Sequence, residues 1–302
     1  MSKHTLFIAL SAAALLASGA ALGEEDEGRF EKRMADDPKG VVEVSNVAGT
    51  VKVNGWDRAE VEVEATYEEG VQRIDVVSDG KSRRTRIKVV LSRESGHDGD
   101  ADLEIRVPAA SELEVSTTSA EIESRGVTGR QRLKSISGNV ETDVAESDIE
   151  LRTISGDAIL RGRGKPAHVR AETVSGNLTL SHGAGELDAK TTSGDLIVEL
   201  EPARAVRVRT VSGNLRLSGE LAPDGEVDAE TVSGELSARL SGAGGFDYEV
   251  TSFSGDIDTC FRDKAEPTSK YGPGTRLAGK HGDGKATVRM KTMSGDVELC
   301  GR

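Results

Sequence analysis

One short signature recurs along this chain and leaves few folds open to it. The pattern Ser/Thr-x-Ser-Gly-Asp/Asn/Glu-apolar has its central serines at Ser137, Ser155, Ser175, Ser193, Ser212, Ser233, Ser254 and Ser294. Each is followed by a glycine: Gly138, Gly156, Gly176, Gly194, Gly213, Gly234, Gly255 and Gly295. A degenerate copy sits at Ser119, where Ala120 replaces the glycine. Counted from Ser119, successive serines lie 18, 18, 20, 18, 19, 21, 21 and 40 residues apart. A near-constant period of this size marks a solenoid. The final interval reads as two periods, as if one coil had lost its signature.

Each copy has the same layout. Val169 and Ala171, or Val206 and Val208, alternate with polar residues before the signature, and Leu178 and Leu180, or Leu215 and Leu217, alternate after it. Alternation of period two describes strands with one buried face. The Ser-Gly-Asp/Asn triplet between them reads as a turn, in which glycine can take positive φ and the Asp or Asn can bond back to the backbone. A second turn of variable length, such as 181–185 or 201–203, absorbs the irregular spacing. A lone coil buries too few side chains to offset the ordering of its backbone, so coils must stack in parallel. The phase of the strand before the turn conflicts with composition. Alternation from Val169 and Ala171 continues inward through Thr173, yet the next column is mostly apolar (Ile136, Ile154, Val174, Val211, Val232, Phe253) and is expected to turn inward instead.

These readings predict an all-β fold with coils of about 18–21 residues over 111–302. Residues 24–110 also read as strands, with Gly49-Thr50-Val51-Lys52-Val53 a faint copy of the repeat, and are expected to cap the open end. Residues 1–23 read as a secretory leader: Lys3 and His4, an apolar run from Leu6 to Leu16, then small residues. The run is shorter than the roughly 20 residues a bilayer needs. Removing the leader takes away Lys3 and no acid, so the net charge moves from −13 to −14. An acidic, exported chain is a poor candidate for binding nucleic acid or anionic membrane.

The repeats resemble the bacterial putative-adhesin family of β-solenoids, in Thr153-Ile154-Ser155-Gly156-Asp157, Thr173-Val174-Ser175-Gly176-Asn177 and their siblings. Val53-Asn54-Gly55-Trp56-Asp57, Ile105-Arg106-Val107-Pro108 and Thr292-Met293-Ser294-Gly295-Asp296-Val297 extend the resemblance over about residues 40–300. It implies a right-handed parallel β-solenoid at the cell envelope, and it implies no catalytic residues.

Cys260 and Cys300 each lie six residues after a signature serine, so they hold the same place in their coils. Neighbouring strands would bring them within disulfide range, and export supplies an oxidising compartment. The alternative is two thiols held apart by an intervening coil. The acidic and amide column (Asn139, Asp157, Asn177, Asp195, Asn214, Glu235, Asp256, Asp296) could bind calcium or supply paired acids. Its Asn residues separate the Asp residues, however, and turn chemistry is the expected role. The Ser/Thr column could offer a hydroxyl surface. A basic run, Arg262, Lys264, Lys270, Arg276, Lys280 and Lys285, could grip an anionic envelope polymer. Trp56 could stack on a sugar or pack on the first coil. His97, His168, His182 and His281 lack metal-ligand spacing, and no motif asks for a metal or cofactor. The sequence therefore points to a non-enzymatic, adhesin-like or structural module, periplasmic or at the cell surface. Its partner would be an envelope polysaccharide or protein. A polysaccharide-degrading β-helix enzyme is the alternative, and the oligomeric state is left open.

Overall fold

The computed structural model describes residues 25–26, 28–92, 99–269, 273–282 and 284–301. The leader expected at 1–23 lies outside the described residues. All regular structure among them is β. In chain order it begins with β1 (Glu25–Asp26), β2 (Arg29–Ala35), β3 (Val41–Asn46), β4 (Ala48–Trp56), β5 (Glu60–Tyr67), β6 (Val71–Asp79), β7 (Arg84–Leu91) and β8 (Asp100–Pro108). Then come β9 (Glu112–Thr117), β10 (Glu121–Arg125), β11 (Gln131–Lys134), β12 (Val140–Asp143), β13 (Asp148–Arg152), β14 (Ala158–Arg161) and β15 (Pro166–Glu172). β16 (Leu178–Ser193), β17 (Leu196–Ser212) and β18 (Leu215–Ser233) each run round a corner, and β19 (Leu236–Gly242) follows.

The strands form two parallel rows. One row passes from β9 through β11, β13 and β15 into the second halves of β16, β17 and β18. The other passes from β10 through β12 and β14 into the first halves of β16, β17 and β18, then β19. Inward residues stack in register: Ile149 on Val169, Val169 on Leu187, Leu187 on Val206, and Val206 on Val227. All five are essentially excluded from solvent. Gln131 alone breaks the aliphatic stack beside Leu113 and Ile149. Its buried amide is satisfied, because Ser124 and Thr142 donate to its Oε1 at 2.7 and 2.8 Å.

The segment expected to cap the first coil also contributes rungs. β3 lies between β7 and β9, and β4 between β8 and β10, all parallel. Val51 of the faint repeat sits beside Ile122. The chain leaving β8 therefore steps past the β3/β4 rung to reach β9. Beyond these rungs β6 closes one row antiparallel to β7, while β5 closes the other antiparallel to β8 and β2 lies outside it, antiparallel to β5. Glu62 of β5 is 3% exposed between Arg33 and Arg106 of its two neighbours. Burial pushes its carboxyl up, but hydrogen bonds and charge from both guanidinium groups outweigh that and hold it below the usual range.

The C-terminal end repeats the manoeuvre in reverse. It holds β20 (Gly245–Ser254), β21 (Ile257–Thr259), β22 (Glu266–Pro267), β23 (Thr275–Gly282), β24 (Ala286–Ser294) and β25 (Val297–Gly301). β24 pairs in parallel with β18 on one side and β20 on the other. β25 is likewise set between β19 and β21. The last coil in sequence is thus the second-last rung in space. The 40-residue interval between Ser254 and Ser294 does not hold a coil without a signature. It holds β22 and β23, with β23 running antiparallel along β20 as the outer edge. Phe246, Tyr248, Phe261 and His281 plug this end, with Tyr248 and Phe261 stacked at 4.8 Å between centroids.

Candidate functional site

The outward columns follow from how the strand meets its turn. Thr153, Thr173, Thr191, Thr210 and Thr231 continue the inward phase and are buried. Thr173 donates to Gly156 O at 3.4 Å and Thr191 to Gly176 O at 3.3 Å, each crossing to the preceding coil's turn. The next column therefore points out. Ile136, Ile154, Val174, Val211, Val232, Phe253 and Met293 are 44–52% exposed, with Thr192 filling the remaining rung. The inward turn expected from their composition does not occur. The phase slips after them, since Ser175 also faces solvent and Leu178 is the next buried residue. The two hydroxyl columns therefore do not share one surface: the signature serines are outside, and the Thr or Ser two residues before each is inside.

Glycine is required here by close approach. A Cβ on Gly156 would lie 2.1 Å from Gly138 O, one on Gly194 2.2 Å from Gly176 O, and one on Gly213 2.1 Å from Gly194 O. The acidic and amide side chains bond to the next coil rather than to their own turn. Asn139 Oδ1 accepts from Asp157 N at 3.0 Å, Asp157 from Asn177 N at 2.7 Å, Asn177 from Asp195 N at 3.0 Å, and Asp195 from Asn214 N at 2.8 Å. Asp and Asn serve equally as acceptors, which explains their interchange. Among the described residues no cluster of three or more His, Cys, Asp or Glu could hold a metal ion.

Beside the outward column, two residues before every member but Phe253, runs a charged one: Lys134, Arg152, Glu172, Lys190, Arg209, Glu230 and Lys291. Arg152 reaches Glu150 at 3.1 Å and Glu172 at 3.4 Å, and Arg209 reaches Glu230 at 2.9 Å. The Arg132 guanidinium bonded to Glu150 holds that carboxyl below its ordinary value. Between the two columns a groove of 730 Å³ runs along the stack from Arg152 to Met293, floored by the buried threonines.

Cys260 and Cys300 are bonded, with Cα atoms 4.9 Å apart. Their strands are neighbours only because β25 is set beside β21. The basic run is less concentrated than its sequence suggests. Arg276 pairs with Glu249 at 2.8 Å and Lys280 with Asp247 at 3.4 Å. Arg262, Lys264 and Lys285 are exposed, and Lys270 lies outside the described residues. Trp56 donates its indole N–H to Glu60 O at 2.8 Å, and the Arg58 guanidinium lies 5.0 Å from its ring centroid. One side of that ring is therefore covered. The sequence missed the outward apolar ladder. Strict alternation from Val169 and Ala171 was the signal that would have found it.

A family model matches residues 38–300. The chain belongs to the Toastrack DUF4097 family. No curated protein matches this Toastrack chain. Among solved structures it is similar to a protein named a putative adhesin from Parabacteroides merdae, at 10% identity and a TM-score of 0.49, covering 91% of this chain and 97% of that one. Another so named, from Parabacteroides distasonis, is 12% identical with a TM-score of 0.46, covering 90% and 97%. A putative cell adhesion protein from Clostridium sporogenes is 8% identical with a TM-score of 0.24, covering 91% and 100%.

Proposed function

We propose that this Toastrack chain is a non-enzymatic, adhesin-like binding module of the bacterial cell envelope, exported by the leader at 1–23. It is a right-handed solenoid over 111–302, closed by the 24–110 segment, and it engages an extended envelope polymer or protein along its sides. The observation that carries this reading is that the outward chemistry is a set of continuous columns. The turn carboxylates of Asp157 and Asp195, which an enzyme would gather around one bond, each accept the next coil's amide instead. No helix among the described residues is long and apolar enough to cross a membrane. The exposed Arg262, Lys264 and Lys285, with Lys270 between them in sequence, form the proposed contact for an anionic polymer.

The test is co-sedimentation of the purified protein with isolated envelope fractions and with purified acidic polysaccharides, with polymer chain length followed in parallel. Retention on a fraction with chain length unchanged is the expected result. Retention on an acidic polymer should weaken with added salt and in an Arg262→Glu, Lys264→Glu variant. Shortening of any polymer, or no retention on any fraction, would overturn the reading.

A further inference from the structure

The apolar ladder lies outside the core, with about half of each side chain open to solvent. Its rungs are ordered Ile136, Ile154, Val174, Thr192, Val211, Val232, Met293 and Phe253, because β24 sits between β18 and β20. Seven steps of 4.7–4.9 Å make a stripe about 34 Å long. That period is selective. A helix presents one side chain per 5.4 Å turn, and one face of an extended strand presents one every ~6.7 Å. Neither stays in register with this ladder over eight rungs. A second copy of the same ladder does.

We propose that the ladder is a homodimer interface, with two copies packed stripe to stripe, antiparallel, about a two-fold axis crossing the Val211 rung. The flanking charges select that register. In stacking order they are Lys134, Arg152, Glu172, Lys190, Arg209, Glu230 and Lys291, then Thr251. With the axis at Val211, Glu230 meets the partner's Lys190 and Lys291 meets the partner's Glu172, each pair occurring twice, and the one like-charge contact is Arg209, bonded to its own Glu230, on the partner's Arg209. Val232 then packs on Thr192, Met293 on Val174, and Phe253 on Ile154. Sliding one copy by a single rung one way sets Lys190 on Arg209, Glu172 on Glu230 and Arg152 on Lys291, all like charges, and the other way offsets Arg209 on Glu230 with Lys190 on Lys291. Sliding by a second rung the first way restores two attractive pairs but sets Lys134 on Lys291 and Lys190 on the partner's Lys190, and the other way sets Arg209 on Lys291. Closed two-fold contact of one patch with itself is the commonest form of assembly.

Sedimentation equilibrium of the purified protein tests this. The wild type is expected to be a dimer. Val211→Lys, which places a charge on the axis at an exposed site, should give a monomer with an unchanged melting temperature. Lys190→Glu should weaken association by about tenfold or more, and adding Glu230→Lys to it should restore association. Arg216→Glu, an exposed change in the other row, should leave the dimer intact. A wild type that stays monomeric at every concentration, a dimer indifferent to Val211→Lys, or a double variant no tighter than Lys190→Glu would each overturn the proposal. So would a monomer that floats with anionic vesicles through this ladder. A monomer that still co-sediments with envelope fractions would overturn this inference alone and leave the binding function standing.

Discussion

Ending the chain at Gly284 is expected to open the C-terminal end of the stack, because the removed residues are its second-last rung. Without β24 and β25, β18 and β19 lose their partners on one side, and β20 and β21 lose theirs on the other. Val288, Met290, Val297 and Leu299 leave the core with them. At roughly 1.5–3 kcal/mol each, these four side chains account for about 6–12 kcal/mol of burial. The Cys260–Cys300 bond, worth about 4 kcal/mol for a loop of this length, is lost as well. Residues beyond Gly242 should become sensitive to protease while the coils before them stay protected, as expected of a quasi-one-dimensional array. A peptide of residues 285–302 added in trans should dock in the vacated slot and restore protection. A truncated protein that resists protease like the full chain would show that the last coil is an appendage and not an internal rung.

The second large effect is expected at Gly213. Its φ is +151°, and any Cβ there meets the Gly194 carbonyl oxygen at 2.1 Å. The contact is backbone on backbone, so no side chain can swing away, and relief requires the rungs to separate. Gly213→Val should therefore cost more than about 4 kcal/mol, in the range reserved for strain and core disruption. Ser212→Val, one residue earlier but exposed, should stay within about 0.5 kcal/mol of wild type. The comparison is read by urea unfolding. Equal midpoints for the two variants would contradict the close stacking of the turns. Ala120 shows where the constraint begins. It stands at the foot of the glycine column, where its N–H bonds to Val47 O rather than to a glycine turn of a lower coil.

Much of this architecture is written in the spacing of Ser155, Ser175 and their siblings. Period-two alternation around each Ser-Gly fixes two strands per coil, and the aliphatic interior of Leu, Val, Ile and Ala leaves parallel stacking as the outcome. The equivalent places of Cys260 and Cys300 were enough to bring them together. Those same cysteines held a stronger message. If they bond, their coils are neighbours, so the 40 residues between them must leave the stack and return. No local signal in residues 261–285 says where they go, because β23 is held by pairing with β20 and not by its own pattern. Val174 carries two opposed signals. Hydrophobicity argued for burial and alternation argued against it. Alternation prevailed because the Thr173 hydroxyl reaches the Gly156 carbonyl from inside the corner. An apolar residue that backbone geometry forces outward is a statement about surface, not core. The charged column beside it is equally illegible as an interface until β24 is known to lie between β18 and β20.

The most direct measurement is the reactivity of single introduced cysteines toward a maleimide in the folded, oxidised protein, at Val174→Cys and Thr173→Cys. In the Val211→Lys background, where the ladder is not covered by a second copy, the outward ladder requires Val174→Cys to label readily in the folded protein and Thr173→Cys to label only on unfolding. The opposite order, with Thr173→Cys open and Val174→Cys protected, would place the apolar column in the core and remove the surface on which the dimer rests.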